Sequence, residues 1–384
     1  MDNHPILRVG VVGAGAVASS VHLPILSHRS DLFEVEAIAD FNLDAANALA
    51  DRFAIPAGGR FEDPQAMFTS GLIDAAIILN SGSHADLVVQ ALGAGLHVFC
   101  EKPLGYSEAE MSKIEVALKS SGKQLMLGYM KTFDQATKAM KANIKGRPRA
   151  VDVVVLHPSG ENQLATSELH VKGFPASAEN IKKFTAQAHE IAVQALGEAG
   201  AKSIGSLYAN GIVGSIIHEF SVLRELDIHM TKIDFSERWM SHNSPNMVIQ
   251  GRTDDDVRVS IRWLILDDYP LYQEEIRWVN EDSGHHLIFP SPYILRVPTK
   301  YVATTRVGLD HINSTFESYM PSFEIELEAF HTLTQTGKQQ GDPIKDGRED
   351  MQLCQKIAAF VLQREGVALG GWTRFEQYRK VTGG

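Results

Sequence analysis

The chain has 384 residues, 44% of them hydrophobic and 22% charged, with a formal net charge of −11. That composition is globular, and the length accommodates two domains of ordinary size. An acidic chain without a basic patch is repelled by nucleic acid and by anionic membrane, so neither is expected as a partner. The opening MDNHPILRVGVVGAG holds an apolar run too short for a signal-peptide core, and no apolar stretch is long enough to span a bilayer. Cys100 and Cys354 support neither a disulfide framework nor a thiolate metal site. A soluble cytoplasmic protein is the expectation.

In chain order, the first third alternates short apolar runs with helix-patterned segments. The runs fall at 6–12 (ILRVGVV), 34–40 (EVEAIAD), 74–80 (DAAIILN), 97–100 (HVFC) and 124–128 (QLMLG). Between them, 43–53, 84–95 and 107–122 carry apolar residues three and four apart. This alternation predicts a parallel sheet covered on both faces, with right-handed crossovers. Gly95 and Gly122 follow last helical turns, where a left-handed cap wants glycine. After about residue 130 the rhythm changes. A strand is predicted at 149–158, a helix within the polar segment 160–205, and another helix at 215–226. Alternating runs follow (NMVIQGRT, DVRVSIRWLIL, YQEEIRWVNED, HHLIFPS, TKYVATTRV), divided by turn residues such as Asp254-Asp255 and Ser283-Gly284. They predict hairpins in an open, largely antiparallel sheet. Two further helix patterns, SFEIELEAFHTLTQTG and REDMQLCQKIAAFVLQ, close the chain.

The first run leads into Gly13-Ala14-Gly15-Ala16-Val17-Ala18, the spacing Gly-x-Gly-x-x-Gly/Ala between a strand and a helix. The first glycine makes a tight turn, and the second lets backbone approach a pyrophosphate. A small third residue allows close helix–strand packing, and the helix N-terminus, with Ala16 and Val17, faces the phosphates. The second run ends at Asp40, placed to accept from an adenosine ribose 2′-hydroxyl and to repel a 2′-phosphate. Phe41 and Asn42 follow instead of an arginine, which favours NAD over NADP. Asn42 can itself cap the next helix, so Asp40 is not needed there. The fold class is therefore α/β: an N-terminal Rossmann doubly wound parallel sheet at 1–130, then a C-terminal α/β domain at 131–384 with an open, largely antiparallel sheet. Within the second domain, 160–205 reads as an insertion.

In open α/β sheets, ligands bind outside the carboxyl ends of the strands. Lys102 stands there, between Glu101 and Pro103, at the nicotinamide end of the crevice. Together GAGAVA, the turn NSGSH (80–84), GAGLHVFCEKPL and GYMKTFD (128–134) resemble the Gfo/Idh/MocA family of glucose–fructose oxidoreductase and inositol dehydrogenase. The segment 323–343 resembles the family's penultimate helix and turn. The resemblance implies an oxidoreductase that moves hydride between a nicotinamide and a secondary hydroxyl or ketone of a sugar, cyclitol or related polyol. It implies that Asn80, Ser81, His84 and Glu101 join Gly13, Gly15, Ala16, Val17, Asp40 and Lys102 around the cofactor. Lys102 is implied to stand by the substrate hydroxyl and nicotinamide. The open sheet implies a homodimer or homotetramer.

The family's second signature, Asp-x-x-x-His, falls on Gly214-Ser215-Ile216-Ile217-His218. The histidine, the implied acid/base, is present as His218, and the aspartate position holds Gly214. Ser215 and Ser221 are alternative partners for the ring, while Glu219 points about 100° away. A core histidine among Ile216, Ile217 and Phe220 is the competing reading. Lys131 and His157 are candidate contacts to sugar hydroxyls, with plain solvated surface as the alternative for each. His22, His84, His157, His218, His285 and His286 show no zinc-type spacing, and neighbours 285 and 286 point to opposite strand faces, so no metal site is expected. Two other activities fit the same family: glycoside cleavage through transient oxidation by bound NAD, and a non-catalytic cofactor- and sugar-binding sensor.

Overall fold

The computed structural model describes residues 5–158, 163, 178–242 and 244–374. The chain folds into two compact units. The first includes Met1–Tyr129 and Phe323–Met351; the second includes Met130–Thr166, Ile191–Ser322 and the chain from Gln352.

The first unit is built on six strands: β1 (Leu7–Val12), β2 (Phe33–Ala39), β3 (Arg60–Phe61), β4 (Ala75–Ile78), β5 (His97–Glu101) and β6 (Leu125–Gly128). They run parallel in the order β3-β2-β1-β4-β5-β6. Val9, Val11, Ile77, Ile78, Val98 and Phe99 are all buried, which is why these strands read as unbroken apolar runs rather than alternating ones. The order reverses between β1 and β4, and that switch point opens the crevice at the strands' carboxyl ends. The two-residue β3 was not among the predicted runs, being too short to carry a pattern. Gly122 closes helix Glu108–Ser121 with φ +65°, as its position after the last apolar turn predicted.

The second unit carries eight strands: β7 (Ala150–His157), β8 (Lys232–Ser241), β9 (Ser244–Arg252), β10 (Arg258–Ile265), β11 (Gln273–Val279), β12 (Ser283–Phe289), β13 (Thr299–Val307) and β14 (Asp310–Ser318). Their order is β14-β13-β12-β11-β7-β10-β9-β8, with β7–β10 parallel and the other pairs antiparallel. Burial alternates along them: Val151, Val153 and Val155, then Val259, Ile261 and Trp263, then Ile276 and Trp278 face inward. Asp152, Arg262, Glu275 and Arg277 lie on the opposite face. His285 and His286 obey the same alternation, His285 meeting the Tyr301 hydroxyl at 2.7 Å and His286 meeting Glu275 at 3.0 Å.

The helix predicted in 160–205 is present within Ala178–Ser206, a helical stretch broken by a kink at Gly197, where φ is +74° and ψ 168°. Most of the preceding part of that segment, including 164–177, lies outside the described residues. Where one regular helix was predicted at 215–226, ten residues of wide π-type turns, Leu207–Ile216, run into helix Ile217–Glu225. Glycine explains the widening. A Cβ at Gly211 would stand 3.2 Å from the Trp263 ring, so the missing side chain lets the coil wrap that indole, whose Nε1 donates to Ser215 Oγ at 2.9 Å. No helix among the described residues is long and apolar enough to cross a membrane.

Candidate active site

In the first unit the glycine loop leaves β1 through Gly13, whose φ of +99° suits glycine. A Cβ there would also lie 2.9 Å from the Asn80 amide nitrogen, so the site demands glycine for space as well. At Gly15 no heavy atom stands within 4 Å of where a Cβ would be, which leaves an open approach to backbone. Ala18 is buried against the sheet. The helix beginning at Ala16 and Val17 widens into π turns over Ala18–His22, the Leu23 amide reaching back five residues to the Ala18 carbonyl. Pro24 supplies the cause, because it lacks the amide for a regular turn and its ring crowds the carbonyl four residues earlier.

Asp40 accepts from Ala14 N at 2.7 Å and from Asn42 N at 2.8 Å. It thus ties the glycine loop to the end of β2, while Asn42 caps helix Leu43–Arg52 through Ala45 N. Each carboxylate oxygen keeps a second lone pair that a ribose hydroxyl can use. The open approach at Gly15 and this half-buried carboxylate fit a dinucleotide. Replacing Asp40 with serine should weaken NAD binding and narrow the gap between NAD and NADP. Titrating both cofactors by fluorescence checks this, and an unchanged ratio would remove Asp40 from ribose recognition.

The other end of the crevice is held by His84 and Glu101. His84 is buried, its Nδ1 against the Pro103 carbonyl at 2.5 Å and its Nε2 against the Asn80 carbonyl at 2.7 Å. Burial lowers its pKa although both carbonyls favour the doubly protonated ring. It clamps the Asn80–Ser81 turn, where Asn80 Nδ2 donates to the Ser81 carbonyl, to the Lys102–Pro103 turn, whose peptide is cis. Glu101 accepts the buried His22 Nε2 at 3.1 Å and the Lys102 amide at 3.3 Å. Burial opposes its ionisation, yet His22 and the positive Lys102 keep its carboxyl below the usual range. Glu326 in helix Ser322–Thr336 is fully buried, and burial first, then the charge of Glu101, pushes its carboxyl well above the usual range.

In the second unit Lys131 is not the solvated residue that one sequence reading allowed. It is 5% exposed and reaches Glu274 at 2.5 Å and Glu219 at 3.3 Å. Tyr272 donates to Glu274 at 2.5 Å. Burial opposes the ammonium, but the two carboxyls raise its pKa. Burial and the neighbouring Glu274 push Glu219 well upward, whereas Lys131 and the hydrogen bonds hold Glu274 down against its own burial. Of the two carboxyls, Glu219 is thus the one whose ionisation the cluster opposes and Glu274 the one whose ionisation it favours. Sequence reasoning set Glu219 aside because it faces away from His218. It does face away, towards Lys131, and that tie fixes the helix on which His218 sits. Glu274 was missed, although it shares the inward parity of Ile276 and Trp278 on β11, a signal the alternation already carried.

Neither serine offered for the His218 ring is seen in that service. Ser215 accepts from Trp263, and Ser221 donates to the His218 backbone carbonyl at 2.6 Å. Gly214 is constrained by the π turns: a Cβ there would stand 2.9 Å from the Ala209 carbonyl five residues back. Gly214→Asp, which restores the family pattern, should therefore destabilise the protein by about 1–3 kcal/mol through overpacking. Thermal unfolding checks this, and a variant as stable as wild type would show that the coil relaxes freely. His157, on β7, is half-buried, with Nδ1 2.8 Å from Gln163 Nε2 and its ring 5.6 Å from that of Tyr272. Burial lowers its pKa, which favours a hydrogen-bonding contact over a charge. Lys102 and His218 belong to different units. Among the described residues no group of three or more His, Cys, Asp or Glu side chains is placed to hold a metal.

Residues 7–129 match a family model described as an oxidoreductase family with an NAD-binding Rossmann fold, GFO_IDH_MocA. The chain is 25% identical to inositol 2-dehydrogenase of Pseudomonas fluorescens over 89% of this chain and 90% of that one. It is 31% identical to inositol 2-dehydrogenase of Paracoccus denitrificans, over 43% of this chain and half of that enzyme's length. Its fold is similar to that of myo-inositol 2-dehydrogenase from Lactobacillus plantarum, with TM-score 0.67, 16% identity and coverage of 94% and 98%. It is equally similar to a 3-ketoreductase from Actinomadura kijaniata in complex with NADP and TDP-benzene, with TM-score 0.67, 16% identity and coverage of 93% and 98%. Over residues 7–129 the chain thus matches the Gfo/Idh/MocA oxidoreductase family model, and over most of its length it is similar to dehydrogenases.

Proposed function

We propose that this protein transfers hydride between NAD and a secondary hydroxyl of a cyclitol, sugar or related polyol. The observation that carries the reading is Glu101-Lys102-Pro103 at the carboxyl end of β5, on the same sheet edge as the glycine loop. Gly13, Gly15, Ala16, Val17 and Asp40 would hold the dinucleotide, with Asn80 and Ser81 nearer its reactive end. When bound, the nicotinamide supplies the hydride acceptor. His218 takes the hydroxyl proton in oxidation and returns it in reduction, as a general base and acid. Lys102 places a positive charge where alkoxide charge develops. His84 and Glu101 act through Lys102, by fixing the turn that carries it. Lys131 acts through Glu219, by fixing the helix of His218, and His157 offers a neutral hydrogen bond to substrate hydroxyls. Asp40, followed by Phe41 and Asn42 rather than arginine, supports NAD over NADP.

The test is the absorbance of reduced nicotinamide when the protein is mixed with NAD or NADP and a panel of inositols, sugars and glycosides. Reduction with an inositol or sugar, faster with NAD, is the expected result. Glycoside cleavage without net reduction would replace this reading with transient oxidation. Tight NAD binding with neither reaction would replace it with sensing.

A further inference from the structure

The first unit keeps a buried carboxyl that the proposed chemistry does not use. Glu326 lies on helix Ser322–Thr336, three residues after Phe323 and four before Phe330, so the three share a helical face. That face packs against β5. The His22 ring meets Phe99 and Phe323 edge-on, each at 5.5 Å, and Phe330 meets Phe99 at 5.7 Å. Glu326, His22, Phe99 and Phe330 are all fully buried. An apolar side chain would fill such a face, because a carboxyl buried without hydrogen bonds costs stability. Neither Glu326 oxygen makes a well-formed hydrogen bond among the described residues, and only the Tyr129 amide lies where it favours the carboxylate.

Glu101 is the neighbouring carboxyl, and hydrogen-bond donors distinguish the two. Glu101 has both His22 Nε2, at 3.1 Å, and the Lys102 amide, at 3.3 Å. Two carboxylates side by side in an apolar box repel, so a proton is kept between them. The better-served Glu101 takes the charge and leaves the proton to Glu326. The directions of their pKa values agree: burial and then Glu101 raise that of Glu326, while Glu101 stays below the usual range against its own burial.

We propose that Glu326 is a positioning residue for the reaction: as a buried acid it offers its proton towards Glu101 and so steadies the carboxylate that holds Lys102. Each Glu101 oxygen accepts one donor and keeps a lone pair for another. A third donor fixes the carboxylate, and with it the turn that carries the ammonium. The positioning role rests on the dehydrogenase reading, whereas the protonated state of Glu326 does not.

Two variants separate this role from packing. Glu326→Gln keeps the shape and an N–H donor, while Glu326→Met keeps the length alone. Losing one hydrogen bond to a charged group is worth about tenfold or more, so Glu326→Met should lower kcat by that factor with NAD affinity little changed. Its thermal midpoint should hold or rise, because a thioether suits the aromatic box better than an unsatisfied carboxyl. Glu326→Gln should recover most of the lost kcat. In a Lys102→Met background Glu326→Met should cost nothing further, as a residue acting through the lysine requires. Normal kcat in Glu326→Met, equal loss in both variants, or full additivity with Lys102→Met overturns the positioning role. An infrared difference between wild type and Glu326→Gln at neutral pH needs no turnover, and should show the C=O stretch of a protonated carboxylic acid in wild type alone. Absence of that band overturns the proposal while leaving the dehydrogenase reading intact. The band in a protein that turns over no polyol upholds the buried acid and overturns its catalytic service together with that reading.

Discussion

Lys102→Met is expected to lower turnover at least about 100-fold, with NAD affinity changed by no more than a few-fold. Methionine nearly matches the length and apolar stem of lysine, so the loss isolates the charge. That charge matters most where negative charge appears only during the reaction, because such an interaction lowers the barrier without tightening substrate binding. The expected kinetic pattern is therefore a fall in kcat with little rise in KM. His84→Ala serves as the contrasting case. It leaves the lysine in place and removes the clamp between the carbonyls of Asn80 and Pro103, which the ring meets at 2.7 and 2.5 Å. Its effect should spread over cofactor affinity and turnover together, since both turns lose their anchor. Near-normal turnover in Lys102→Met would show that the lysine is a structural partner of Glu101 and that the developing charge is met elsewhere.

What sequence could and could not reveal follows from the range of the interactions involved. The glycine loop, Asp40 and the lysine after β5 are encoded by neighbours within a strand–turn–helix unit, so local spacing exposes them. The alternation of β7, β10 and β11 is likewise local, and it predicts which face of the second sheet is buried. The Lys131 cluster joins side chains far apart in sequence, at 131, 219, 272 and 274, and no local pattern links them. The π turns before His218 arise from Gly211 and Gly214 acting with Trp263 on a strand some fifty residues later. A helical wheel drawn on regular geometry misses that. Where the resemblance expects an aspartate the chain has Gly214, and the crowding that a Cβ would meet there is visible only once the Ala209 carbonyl is in place.

The Lys131 cluster carries the largest expected effect on stability. Lys131→Met leaves the Glu274 carboxyl buried with only Tyr272 and Glu219 beside it. Removing one partner of a buried ion pair costs about 3–5 kcal/mol, enough to be read as a large drop in the denaturant midpoint of unfolding at neutral pH. Part of that loss should be recovered in acid, where protonation relieves the stranded charge. Glu219 behaves oppositely. Its folded pKa is raised by burial and by Glu274, so the folded state holds a proton that the unfolded chain releases above the ordinary carboxylate range. Between that range and the raised value the wild-type protein must lose stability as pH rises. Glu219→Gln removes this liability while keeping a donor of the same shape. The variant should match or exceed wild type at pH 7 and show a flatter profile from pH 5 upward. Glu274 has the reverse sign: its lowered pKa gives stability that is complete above the ordinary range and is lost as pH falls through the folded value. Glu274→Gln should therefore be costly at neutral pH, unlike Glu219→Gln, although the two carboxyls share one ammonium. Equal destabilisation by the two glutamine variants at pH 7 would mean that the two carboxyls ionise alike, and the opposite directions of their shifts would fall.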